Sequence, residues 1–183
     1  STIDALQREI EEKAILTIAR RQPMAVDLRE VVCALRVSND LERIGDLAKN
    51  ISKRVMALDG EFHPQKLLRG VEHMGSLVCD QLRQVLDAFA TRDLQAALAV
   101  WKGDQEIDAM CTSLFRELLT YMMEDPRNIT ACTHLLFMAK NIERAGDHVT
   151  NIAELVSFRQ TGRNFAEVRP KGSGSIYTTG TAA

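Results

Sequence analysis

The sequence predicts an all-α protein: two tandem three-helix bundles related by an internal repeat, the first truncated at its N-terminus. Three observations lead there. First, one helical segment occurs twice. LRVSNDLERIGDLAKNIS at 35–52 and LFMAKNIERAGDHVTNIA at 136–153 share Leu35/Leu136, Glu42/Glu143, Arg43/Arg144, Gly45/Gly146, Asp46/Asp147, Asn50/Asn151 and Ile51/Ile152, each pair 101 residues apart. A repeat of this kind sets the architecture before any other feature. Second, apolar residues recur at three- and four-residue spacing almost throughout, with little strand-like alternation. Third, the breaks are short, so long helices follow one another as antiparallel neighbours.

The elements follow in order. Ile3, Leu6, Ile10, Ala14 and Ile18 stripe a helix over 1–22, and Arg20 and Arg21 suit its negative C-terminal end. Pro23 starts a second helix, 24–58, with Leu28, Val31, Leu35, Ile44, Leu47, Ile51, Val55 and Leu58 on one side; Asp59-Gly60 ends it. Pro64 opens a third helix to about Ala90, striped by Leu67, Val71, Met74, Val78, Leu82, Val85 and Phe89. Thr91-Arg92-Asp93 is a turn in which Asp93 suits an N-cap, and a fourth helix runs over 94–124. Asp125-Pro126-Arg127-Asn128 breaks it, and a fifth helix spans 129–159.

Two repeats and a tail result: a partial first repeat (1–60), a complete second repeat (61–160) and a Gly-, Ser- and Thr-rich tail (161–183), expected to be mobile. Asp4 in TIDAL matches Asp108 in EIDAM. On that alignment about 40 residues of the first repeat are missing, and the intact protein has roughly 220.

Composition narrows the function classes. Net charge is −2, without the basic excess of a general nucleic-acid binder. Apolar runs are only a few residues long, too short for a membrane span. Cys33, Cys79, Cys111 and Cys132 have no C-x-x-C spacing and sit among apolar helical residues, as reduced core thiols do. There is no phosphate loop, nucleotide fingerprint or nucleophile triad, so no enzyme is expected.

The chemistry lies in carboxylates. Residues four apart share a helix face, so Glu42 with Asp46, and Glu143 with Asp147, are same-face pairs. Like charges so placed destabilise a helix by about 0.2–0.5 kcal/mol, and repetition of the pair suggests a cation. Asp104 and Asp108 interrupt the apolar stripe Leu94, Leu98, Trp101, Cys111, Phe115, Leu118, Met122 of their helix. Burial of a carboxylate demands a hydrogen-bond donor, a base or a metal. Asp108 and Glu143 are about equally far from the Asp125 turn, so Asp104, Asp108, Glu143 and Asp147 are expected at one level. Asp4 and Glu42 match in the same way about Pro23.

Four carboxylates without thiolate suit a divalent or trivalent ion: Fe, Mn, Mg or Ca, with Zn allowed. His148 adds a nitrogen beside the second motif, where the first has Leu47. Arg43 and Arg144 beside the glutamates also suit plain ion pairs, and Asn50 and Asn151 continue the edge as supporting hydrogen-bonders or surface residues. Gly45 and Gly146 each cost about 1 kcal/mol relative to Ala in a helix. Close helix packing is the preferred account, and room for a cation the alternative. His63, His73 and His134 have no patterned partners and read as structural.

RQPMAVDLREVVCALRVSNDLERIGDLAKNI and NIERAGDHVTNIAELV resemble the two signature helices of the PhoU family, across about residues 1–160. The resemblance implies two tandem three-helix bundles in a cytoplasmic, commonly dimeric regulator of phosphate uptake. It implies metal binding through Glu42, Asp46, Glu143 and Asp147, with Asp4, Asp104 and Asp108 on the opposing helices. It also implies, as partners, the ATPase subunit of the ABC phosphate importer and the phosphate-sensing histidine kinase, with membrane contact only through them. The truncated first helix and Leu47 depart from that pattern and make the two sites unequal. Two other readings compete. A ferritin-like di-metal protein uses Glu-x-x-His pairs, absent from this sequence. A structural bundle would use its acidic patches to dock a basic partner.

Overall fold

The computed structural model describes residues 2–58 and 65–165. They form α1 (Thr2–Arg21), α2 (Val26–Ala57), α3 (Gln65–Thr91), α4 (Leu94–Glu124) and α5 (Ile129–Thr161), with a 3-10 turn at Pro126–Asn128. No strand occurs among the described residues, and the all-α expectation holds.

The breaks have local causes. The residue before a proline avoids the right-handed helical region, and Gln22 before Pro23 has φ 45°. Ala25 has φ 47°, a conformation costly for a residue with a Cβ. The second helix therefore opens at Val26, two residues later than the sequence suggested. Asp93 caps α4, its carboxylate accepting from the backbone N–H of Gln95 at 2.9 Å and Ala96 at 3.0 Å. Asp125 accepts from the Arg127 N–H at 3.0 Å. α5 ends on Gly162, φ 75°, whose N–H donates to Phe158 O, the left-handed glycine cap. Residues 161–165, assigned to a mobile tail from sequence, are thus structured: Phe165 packs on Trp101 with ring centroids 5.5 Å apart. Asp59-Gly60, His63, Pro64 and residues 166–183 lie outside the described residues.

α5 is the central helix. It packs on α2, α3 and α4, and α3 also packs on α4, closing a three-helix bundle. Leu135, Val149, Ile152 and Leu155 of α5 are buried with Trp101, Ile107 and Leu118 of α4 and Leu67, Met74 and Val85 of α3. α2 adds Cys33, Val37 and Leu47 to this core.

The first two helices depart from the expected stripes. α1 packs on α2 alone, and Ala14 is its one buried residue. Ile3, Leu6, Ile10 and Ile18 are exposed, as are Leu28 and Val55 of α2. A stripe is buried only where a second element covers it, and α2 alone cannot flank α1 on both sides.

Candidate functional site

The duplicated segments lie on α2 and α5, which cross antiparallel. Asp40 Oδ1 is 2.9 Å from His148 Nδ1. The Cys33 thiol donates to Leu155 O at 3.8 Å. Glu30 meets Arg159, and the Arg54 guanidinium lies 4.2 Å over the Phe137 ring. This register sets the two Glu-Arg-x-Gly-Asp segments level with each other at the crossing, so the repeat partners hold one another.

Both motif glycines do the same packing job. A Cβ on Gly45 would lie 2.9 Å from Ile3 Cδ1, and one on Gly146 would lie 3.3 Å from Ile107 Cδ1. Ile3-Asp4 and Ile107-Asp108 are the same dipeptide on the helix preceding each motif. Each glycine therefore admits an isoleucine, and an aspartate follows each isoleucine on the same helix. Close packing, the preferred sequence account, is what the structure shows.

On α4 and α5, Asp108 and Glu143 share a neighbourhood. Lys140 Nζ is 2.7 Å from Glu143. Burial pulls the Lys140 ammonium down, but the hydrogen bond and charge of Glu143, with Cys111 and Asp108 adding, outweigh it and hold it above its ordinary value. The Cys111 thiol is pushed up to about 11, by burial first and then by the charges of Glu143 and Asp108 against Lys140. Asp104 is 3% exposed and meets part of its burial cost with a shared donor: Thr150 Oγ1 lies 3.2 Å from its Oδ1 and 3.0 Å from Gly146 O, one hydroxyl proton serving both acceptors. Asp147 is half-buried on the same helix.

On α1 and α2, Glu42 is half-buried with Arg43 Nε 3.6 Å away, and Asp46 has Lys49 Nζ at 3.7 Å. Asp4 is half-buried beside Ile3. Arg144 and Asn50 are exposed and Asn151 is half-buried. Leu47, the counterpart of His148, is buried.

The carboxylates suit a cation in charge and helix level, and Lys140 already places one on Glu143. Among the described residues no group of three or more His, Cys, Asp or Glu side chains stands close enough to hold a metal ion. Metal binding would draw these carboxylates off Lys140, Lys49, Arg43 and Thr150.

Sequence reasoning missed three residues here. Asp40 is buried and occupies a position in the Cys33, Val37, Asp40, Ile44, Leu47 stripe, so the interrupted stripe was the available signal. Lys140 stands three residues before Glu143, a helical ion-pair spacing. Thr150 carried no signal beyond its place beside the apolar face.

A family model described as PhoU domain matches residues 1–55 and 71–156. A phosphate-specific transport system accessory protein PhoU homolog of Rhizobium meliloti is 59% identical over 169 residues, covering 92% of this chain and 71% of the relative. One of Caulobacter vibrioides is 57% identical, covering 92% and 74%. The crystal structure of PhoU from Pseudomonas aeruginosa superposes with a TM-score of 0.83 at 40% identity, covering 88% of this chain and 77% of that one. That of the phosphate transport system regulatory protein PhoU from Streptococcus pneumoniae gives 0.80 at 28%, covering 90% and 76%.

Proposed function

The chain belongs to the PhoU family, and from that premise we propose that it is a regulator of phosphate uptake and of the phosphate-starvation response. It acts without catalysing a reaction, as a metal-binding helical adaptor. It docks on the ATPase subunit of the ABC phosphate importer and on the phosphate-sensing histidine kinase, in the cytoplasm and as a homodimer. Relatives carry names of accessory and regulatory proteins of phosphate transport. No helix among the described residues is long and apolar enough to cross a membrane, in keeping with contact to the membrane through partners.

The observation that most favours this reading is the duplicated motif set level on two antiparallel helices, each glycine seating the isoleucine before an aspartate. Glu143 and Asp147 with Asp108 and Asp104, and Glu42 and Asp46 with Asp4, are the groups that would hold Fe, Mn, Zn or Mg. The ion would supply positive charge where carboxylates now lean on lysine and arginine. The second reading, acidic docking patches without metal, is favoured by those same ion pairs and by the lack, among the described residues, of any gathered set of three ligands.

Elemental analysis of protein purified without chelator separates the two, run beside Glu42→Gln/Asp46→Asn and Glu143→Gln/Asp147→Asn. Stoichiometric metal that falls site by site, with importer or kinase binding dependent on it, is the expected result. No metal above background, with partner binding still lost in both variants, leaves docking patches. Failure to bind either partner in any metal state sinks the adaptor reading.

A further inference from the structure

One end of the molecule gathers more guanidinium charge than its own carboxylates neutralise. Three elements meet there: the start of α2, the turn between α3 and α4, and the end of α5. Arg159 Nε lies 2.6 Å from Glu30 Oε2, a close ion pair without hydrogen-bond alignment. Arg159 also donates through Nη1 to Phe89 O at 2.8 Å and lies 4.7 Å over the Phe89 ring. Arg92 Nη2 is 3.1 Å from the other oxygen of Glu30. Glu30 is thereby fully engaged by two arginines.

Arg29 and Arg36 stand in the same neighbourhood. With Arg159 they act on the buried Cys33 thiol, opposing its upward shift from burial, while Glu30 adds to that shift. Arg29 Nε is buried with no hydrogen-bond partner. Its Nη1 lies over Gly162, where a Cβ would come within 2.5 Å. Asp93 is committed to capping α4, and Asp27 is exposed on the first turn of α2. The start of α2 has no side-chain cap; its Asp27 N–H donates to Met24 O at 3.1 Å, and the remaining first-turn amides set the positive pole of a 32-residue helix beside the C-terminal pole of α5.

We propose that this end is a binding site for a small tetrahedral oxyanion, with Arg29 as its principal ligand and Arg36, Arg92 and the uncapped start of α2 around it. The chemistry favours such an anion over a lone carboxylate. Guanidinium groups bind oxyanions through two parallel N–H donors, and donors arriving from more than one direction need an acceptor with oxygens on more than two sides. Inorganic phosphate and sulfate both meet that requirement. The proposal stands whether or not the duplicated acidic motifs bind metal.

The test is calorimetric titration of the 183-residue chain with inorganic phosphate and, separately, with sulfate, at constant ionic strength set with chloride. Saturable binding of phosphate is expected, weakened about tenfold or more by Arg29→Gln and unchanged by Arg116→Gln, an exposed arginine on α4. Arg29→Lys, which keeps the charge and loses the planar fork, is expected to fall between. Should Arg29→Gln fail to fold, Arg36→Gln, at an exposed position, carries the same test with a smaller loss. Equal affinity for sulfate supports a site that reads charge and shape, and preference for phosphate supports one that also accepts its proton. No saturable binding of either ion, or binding that neither Arg29→Gln nor Arg36→Gln weakens, overturns the proposal.

Discussion

The two copies of the motif are nearly the same sequence in different surroundings. On α5, Gly146 and Ile152 are buried, whereas on α2 the matching Gly45 and Ile51 are only half-buried. α5 touches three helices, and α2 touches α1 and α5. The comparison teaches that the repeat specifies the crossing of α2 and α5 but not the burial of what surrounds it. Burial comes from neighbours, and α1 is a neighbour with one buried residue. Large-to-small changes expose this most. Ile152→Ala is expected to cost about 2–5 kcal/mol, the range for a fully buried aliphatic, while Ile51→Ala costs less than half as much. On α1, Ile15→Ala changes stability by no more than about 0.5 kcal/mol, as surface substitutions do, since Ile15 is 64% exposed. Denaturant unfolding of the three variants checks the ranking. Equal losses at Ile51 and Ile152 would break the comparison.

The crossing itself is asymmetric at one polar pair. Asp40 and His148 bridge α2 and α5, and their repeat counterparts are Asn141 and Leu47. His148→Leu installs the residue of the first copy. It is expected to cost about 1–3 kcal/mol, because it leaves the buried Asp40 carboxylate without this partner. Asp40→Leu/His148→Leu, which removes both polar groups, is expected to recover much of that loss. A double-mutant cycle by thermal or denaturant melts measures the coupling. A single His148→Leu loss that the double variant does not reduce would show that the pair is not what holds the two helices.

Much of this was legible in the sequence. All five helices were, because each is long and carries an apolar period, and Asp93 and Asp125 were readable as breaks from their cap chemistry. The shared neighbourhood of Asp108 and Glu143 at Cys111 followed from equal distances to a turn. What the pattern did not show was coverage. The stripe on α1 reads like the stripe on α3, yet Ile10 is exposed and Met74 is buried. Periodicity reports which face is apolar and says nothing of what lies against it. The site was half legible for a similar reason. Asp104 was recognisable as a carboxylate in an apolar stripe, but its Thr150 donor lies across a helix interface, 46 residues away.

The glycines sharpen the comparison on a smaller scale. Ala at either position gains about 1 kcal/mol of helix propensity. At Gly45 the new Cβ meets only the end of Ile3, which is 40% exposed and free to swing aside. Gly45→Ala is therefore expected to be neutral or stabilising by up to about 1 kcal/mol. At Gly146 the Cβ meets Ile107 Cδ1 at 3.3 Å and Cγ2 at 3.7 Å, with Asp104 Oδ1 at 3.8 Å. Ile107 is fully buried and has nowhere to go, so overpacking of about 1–3 kcal/mol offsets the gain. Melting temperatures that fall for Gly146→Ala and hold or rise for Gly45→Ala are the expected pair.

The last effect lies in the thiols and appears only at high pH. Cys33, Cys111 and Cys132 are buried and Cys79 is exposed, so an alkylating agent is expected to label Cys79 first and the rest on unfolding. Burial holds the Cys111 thiol near 11, above its ordinary value of 9.0. In the window between those values the unfolded chain has released a proton that the folded chain keeps. Stability then falls as pH rises, since the slope follows protons bound unfolded minus protons bound folded. The contribution is complete below pH 9 and exhausted above about 11. Cys33 and Cys132 shift the same way, so the slope is shared. Cys111→Ala lowers the whole stability curve through lost packing, and it also flattens the curve between pH 9 and 11. A slope that is unchanged in Cys111→Ala would mean that the alkaline loss arises at the other two thiols and at Lys140, whose ammonium is also held above its ordinary value, and that the acidic pair Asp108 and Glu143 exerts no measurable hold on the sulfur between α4 and α5.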